Sequence, residues 1–146
     1  MSRSKRLQPI LRLAALHCEQ AGAQLLQAQQ RLDTENQRLA QLQDYQHEYR
    51  ETLQRVGRGG VSIGRLRLYD GFQQQIDQAI GHQHQMIQQA EAQLVRMREI
   101  WLEKDRRHKS LQKMLERLQQ EADVAQARIE QRNHDEYARR RQGGWD

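Results

Sequence analysis

Counted from Leu7 in alternating steps of four and three, the chain lands on Leu7, Leu11, Ala14, Cys18, Ala21, Leu25, Ala28, Leu32, Glu35, Leu39, Leu42, Gln46, Tyr49, Leu53 and Val56. Only Glu35 and Gln46 on that path are polar. Steps of three and four keep side chains on one seam of a helix, so the pattern predicts one strand of a coiled coil. Pro9 falls in the expected first turn, where a missing N–H does no harm. The path breaks at "GRGGVSIG", residues 57–64, which holds four glycines. Each glycine costs a helix about 1 kcal/mol relative to alanine, so the helix should stop there. Ser62 is suited to cap a second helix, because its hydroxyl can accept from a free N–H of that helix's first turn.

A second path runs Leu66, Tyr69, Gln73, Ile76, Ile80, Gln83, Ile87, Ala90, Leu94, Met97, Trp101, Lys104, His108, Leu111 and Leu115, and continues through Leu118, Ala122, Ala125 and Ile129. Gly71 and Gly81 weaken this helix locally without ending it. A short turn between two helices favours antiparallel neighbours. The expected fold is therefore all-α: two long helices in an antiparallel coiled-coil hairpin, forming a single domain over residues 1–146. Helix one should cover about 8–56, the turn 57–64 and helix two about 65–140, so that the second helix is longer and projects at its C-terminal end.

One register sets Val56 against Leu66, Leu53 against Tyr69, Leu42 against Ile80, Leu25 against Met97, Ala21 against Trp101 and Leu11 against Leu111. Large residues then meet small ones, with Leu94 facing Ala28 and Ala90 facing Leu32, as close packing requires. In this register polar seam residues avoid one another: Glu35 meets Ile87, Gln46 meets Ile76, Gln73 meets Tyr49 and Lys104 meets Cys18.

Composition agrees with a narrow seam rather than a thick core. Only 36% of the 146 residues are hydrophobic and 5% aromatic, and mean hydropathy is −1.07. A compact globule is not expected, whereas a coiled coil needs only its stripe; disorder is the competing reading of so polar a composition, and the periodicity has to decide between them. The net charge of +5 suits acidic proteins, nucleic acid or anionic membranes without selecting among them. Cys18 is the single cysteine, which excludes an intrachain disulfide and points to a reducing compartment such as the cytoplasm. The basic and apolar start resembles a secretory signal, but Arg12 interrupts it and His17 precedes Cys18, so an unprocessed soluble chain is expected.

Chemistry-bearing motifs are absent from the pattern. The six histidines form no ligand set; His82 and His84, two apart, sit on different helix faces. "GRGG" lacks the Gly-Lys-Ser/Thr ending of a phosphate loop. A two-helix hairpin offers no concave pocket for catalysis. Neither enzyme, metal nor cofactor is expected.

Two surfaces stand out instead. Beyond Leu115 the second stripe has nothing from its own chain to cover it, which marks a partner surface, a weak self-association surface or an end that orders on binding. Arg3, Lys5, Arg6 and Arg12 should gather near Lys104, Arg106, Arg107, Lys109, Lys113 and Arg117, either as a solvated basic face or as a dock for an acidic partner. Near the turn, Tyr45, Phe72, Ala79 and Met86 flank the seam on one edge, where Glu, Lys or Gln normally stand. The rings either anchor a partner or fold over the seam and thicken the core.

The segments "DYQHEYR" (44–50), "GFQQQIDQAI" (71–80) and "EQRNHDEYARR" (130–140), with the glycine-rich turn, carry a resemblance to the flagellar export protein FliJ family over nearly the whole chain. That resemblance implies a cytoplasmic component of the flagellar type III export apparatus, at the cytoplasmic face of the inner membrane, similar in architecture to the rotor stalk subunit of F-type ATPases. It implies binding to the export ATPase FliI, contact with the export gate protein FlhA and a role in recycling export chaperones. Its gate-contacting surface would map onto Leu42, Tyr45, Tyr49, Phe72, Ile76 and Ala79. Its ATPase-ring surface would use Arg3, Lys5, Arg6, Lys113, Arg117, Leu118, Ala122, Ala125 and Ile129. The corresponding stalk of a virulence secretion system and a basic coiled coil binding nucleic acid are the alternatives; few aromatics are placed for base stacking, which disfavours the latter.

Overall fold

The computed structural model describes residues 2–143 and contains two α-helices, α1 (Arg3–Arg58) and α2 (Ile63–Gly143). α1 begins earlier than the sequence pattern suggests. Ser2 caps it, its Oγ accepting from the Lys5 N–H at 3.3 Å and its carbonyl accepting from the Arg6 N–H at 3.2 Å. Pro9 consequently lies inside the helix rather than in its first turn. The cap and the burial of Leu7 offset the one backbone hydrogen bond that proline removes.

α1 also runs through Gly57 before it ends. The Gly59 N–H donates to the Val56 carbonyl at 3.1 Å and the Gly60 N–H to the Gly57 carbonyl at 3.4 Å. Gly60 takes φ of 80°, the left-handed conformation that commonly closes a helix and that glycine adopts without a Cβ penalty. Ser62 then caps α2 as expected, its Oγ accepting from the Arg65 N–H at 3.3 Å. α2 continues unbroken through Gly71 and Gly81.

The residues fall into two compact units. The first is a hairpin, Ala21–Trp101, containing the turn. Its core consists of Ala21, Ala28, Glu35, Ile76, Gln83, Ile87 and Ala90, all buried, with Ala90 at 0% exposure. Burying Ile76 and Ile87 contributes about 2 kcal/mol each. Small residues let bulky ones in: a Cβ on Gly22 would stand 3.4 Å from Nε1 of Trp101, beside the buried Ala21. The pairing stays within one residue of that expected, since Gln46 Nε2 donates to Asp77 Oδ1 at 2.7 Å.

Polar seam residues do meet here, across neighbouring layers of the expected register rather than face to face within one layer. Gln83 Nε2 donates to the Glu35 carbonyl at 2.7 Å and to Glu35 Oε2 at 2.8 Å. Their side chains are long enough to reach the adjacent layer diagonally. The other carboxylate oxygen accepts from Arg38 Nη1 at 2.7 Å, so the buried acid is fully partnered.

The second unit joins the chain up to Gln20 with the chain from Leu102 onward. Leu7 and Ala14 are buried, and Leu11, Cys18, His108, Leu111, Leu115 and Leu118 are half-buried. Cys18 Sγ donates to Asp105 Oδ1 at 3.8 Å, one residue from the Lys104 expected opposite it. Every described residue from Gln119 onward is exposed.

Candidate partner-binding surfaces

The first surface lies in the hairpin unit. Tyr49, held by the seam spacing between Gln46 and Leu53, is the hub of an aromatic cluster. Its ring meets Tyr69 edge-on with centroids 6.2 Å apart and Phe72 edge-on at 6.3 Å. Its hydroxyl donates to the Tyr69 carbonyl at 3.2 Å. Burial above all, and then the nearby Tyr69, Tyr45 and Asp70, push the Tyr49 phenol above its ordinary range. The cluster anchors the seam from within while presenting rings outward.

Of the residues assigned to this surface, Ile76 is buried, and Leu42, Tyr49 and Ala79 are half-buried. Tyr45 and Phe72 stand open, at 56% and 46% exposure. Of the two alternatives for the flanking rings, the structure shows the packing one at Phe72, which stacks on Tyr49 and still leaves nearly half its surface open to solvent. Edge-to-face stacking fixes that open part, because such pairs prefer one geometry. Met86 completes the edge as a half-buried neighbour.

The second surface lies in the unit formed by the chain ends. Arg3, Arg6, Leu7, Ile10, Met114 and Leu118 line one apolar groove with an arginine rim. Arg117, Glu121, Val124, Ala125 and Arg128 border a separate shallow depression, together with Gln120. Ala122 and Ile129 are exposed on the stripe itself, while Lys5 and Lys113 are exposed and lie off the groove. The residues assigned to this surface therefore divide between a groove (Arg3, Arg6, Leu118), a depression (Arg117, Ala125) and open helix.

Ile10 and Met114, both largely exposed, belong to this surface although the seam pattern does not single them out. Each stands one residue before a seam leucine, Leu11 and Leu115, as Phe72 does before Gln73. The flanking position that distinguishes Phe72 is the signal that would find them.

Beside the seam of this unit, Asp105 Oδ2 pairs with Lys109 Nζ at 2.8 Å. Burial first, and then the Asp105 carboxylate, push the Cys18 thiol above its ordinary range. The hydrogen bond to Asp105 raises the Lys109 ammonium in turn. A thiol so held is a poor nucleophile. Among the described residues no group of three or more His, Cys, Asp or Glu could hold a metal ion. Neither described helix is long and apolar enough to cross a membrane.

The family model described as "Flagellar FliJ protein" matches residues 3–143. A relative named "Flagellar FliJ protein", from Escherichia coli (strain K12), is 30% identical over 128 residues, covering 88% of this chain and 87% of its own length. No solved structure matches the chain.

Proposed function

The chain belongs to the flagellar FliJ protein family, and from that membership we propose that it is the stalk which links the export ATPase FliI to the export gate protein FlhA. The membership makes it a component of the flagellar export apparatus. Its task in this reading is mechanical rather than chemical, and hydrolysis belongs to the ATPase.

One observation carries the proposal: the apolar stripe of α2 outlasts its partner helix, leaving Ala122, Ala125 and Ile129 exposed beyond Leu118. Covering such a stripe with a foreign surface yields the hydrophobic free energy that the chain itself leaves unrealised. Arg3 and Arg6 rim the groove that ends at Leu118, Arg117 borders the depression at Ala125, and with the exposed Lys5 and Lys113 they supply positive charge suited to an acidic partner. Tyr45 and Phe72, backed by Tyr49 and flanked by Leu42, Ile76 and Ala79, supply the anchors for the gate protein. Work at the cytoplasmic face of the inner membrane and the return of export chaperones belong to the same docking role.

The test is hydrolysis by the purified cognate ATPase with and without this protein. Wild-type chain stimulates it. Leu118→Asp combined with Ala122→Asp abolishes the stimulation while helicity by circular dichroism persists; undiminished stimulation by that variant refutes the ring assignment.

A further inference from the structure

The turn of the hairpin unit carries charge of one sign. Between Glu51 and Asp70 the chain holds Arg55, Arg58, Arg65 and Arg67 and no acidic residue. All four arginines are exposed, and none takes part in an ion pair among the described residues. Arg55 and Arg58 suit their place in the last turn of α1, because a helix C-terminus favours cations. Arg65 and Arg67 do not. They stand third and fifth in α2, whose first turn holds no acidic residue to offset them, at the helix end where the dipole disfavours positive charge. An anion brought to the turn reverses that cost.

The same end exposes large apolar side chains: Ile63 is 72% exposed, Leu66 50% and Leu68 60%. With about 3.6 residues to a turn, Ile63, Arg65, Leu66, Arg67 and Leu68 surround the helix instead of sharing one face. A partner that grips a helix from the side uses one face; a flat surface met end-on uses them all. Side chains tilt toward the start of their helix, so those of α2 lean toward the turn. At about 1.5 Å per residue, Leu68 lies only about 8 Å from the start of α2. Interfacial helices bury their apolar side chains about 5–10 Å into a bilayer surface, with basic residues meeting the headgroups.

We propose that the turn of the hairpin, residues 58–68, docks end-on against an anionic phospholipid surface. Ile63, Leu66 and Leu68 enter the headgroup region, and Arg58, Arg65 and Arg67 pair with lipid phosphates, which the guanidinium fork matches with two hydrogen bonds. Arg55 stands further back and adds attraction through the field, which reaches about 8 Å at physiological salt. Neither described helix is long and apolar enough to cross a membrane, so the contact stays at the interface. Three or four cations and three apolar side chains make it weak and reversible. None of these residues belongs to the gate or ring surface, so the inference holds or fails apart from those assignments.

Co-sedimentation of the full chain with vesicles of phosphatidylcholine containing about one-quarter phosphatidylglycerol tests the contact. Wild type partitions onto these vesicles, much less onto phosphatidylcholine alone, and less as salt is raised. Each arginine contributes about fivefold, so R65Q/R67Q weakens partitioning by more than about tenfold. I63Q/L68Q weakens it by about tenfold through lost insertion and leaves the salt dependence in place. R3Q/R6Q, which removes the same charge from the other unit, stays within about twofold of wild type. All four positions at the turn are exposed, so circular dichroism should be unchanged and a loss of binding cannot be a loss of fold. A wild type that ignores the anionic vesicles, one that binds both vesicle types equally, or an R3Q/R6Q variant that loses as much as R65Q/R67Q overturns the proposal. Capture of polyglutamate that depends on Arg65 and Arg67, without capture of vesicles, overturns it in favour of an acidic protein.

Discussion

The Nε2 of Gln83 donates to both the main-chain carbonyl and the carboxylate of Glu35, joining the two polar residues that are buried among the described residues of the hairpin unit. A buried polar contact inside a mostly apolar seam holds register, because sliding the helices would strand a buried carboxylate. Gln83→Ala should therefore destabilise the hairpin by about 1–3 kcal/mol, the cost of unsatisfying such a group. Replacing both residues by leucine should leave stability equal or higher while loosening alignment. Urea denaturation measures the first effect, and disulfide trapping between engineered cysteine pairs at shifted registers measures the second.

Three glycines should respond in opposite directions. A Cβ at Gly71 or Gly81 meets nothing within 4 Å, and both lie inside α2. Gly71→Ala and Gly81→Ala should each stabilise the protein by about 0.5–1 kcal/mol. Gly60→Ala, at φ of 80°, should destabilise it by about 1 kcal/mol. Thermal melts of the three variants decide the matter.

Alkaline solution should loosen the fold earlier than it would a surface-charged helix pair. Cys18 and Tyr49 are both held protonated, their folded pKa values raised above ordinary values of 9.0 and 10.0 chiefly by burial. In the window above those values the unfolded chain releases protons that the folded one keeps, so stability falls as pH rises. Melting temperatures followed from about pH 7 to 11 should decline, and Cys18→Ala with Tyr49→Phe should blunt the decline. In the same range, Asp105→Asn should hasten alkylation of Cys18 by removing the carboxylate beside the thiol.

Phe72→Ala should separate the two docking roles. The ring is exposed and leans on Tyr49, so its loss should cost little stability yet weaken capture of the cytoplasmic part of the gate protein by about tenfold or more, as truncating an anchor does. ATPase stimulation should be unaffected. Pull-down and hydrolysis assays on one preparation check both statements.

The seam is legible in the sequence because alternating spacing is a one-dimensional image of helix packing. Each residue on the first path, Leu7 to Val56, is buried or half-buried, and so is the second path from Tyr69 to Leu118. Leu66, half exposed, departs because it belongs to the last layer before the turn and has no layer beyond to cover it. The start of α1 is obscured because Pro9 imitates a start signal, whereas Ser2 supplies the cap further upstream. The Glu35–Gln83 contact and the Tyr49 cluster depend on side-chain length and rotamer, which spacing does not encode. Tyr45 and Phe72 are visible as aromatics in a place reserved for charges; Ile10 and Met114 are equally visible by position but pass unnoticed among ordinary aliphatic residues.

The bare stretch of α2 after Leu118 has a thermodynamic consequence. A helix without a packing neighbour is only marginally stable in water, so its amide protons should trade with solvent deuterium far sooner than those flanking Ala90, whose side chain is wholly enclosed. Whatever docks on that stretch must slow this trade, so mass spectrometric readout along the chain would register occupancy as a local lengthening of deuteration half-times.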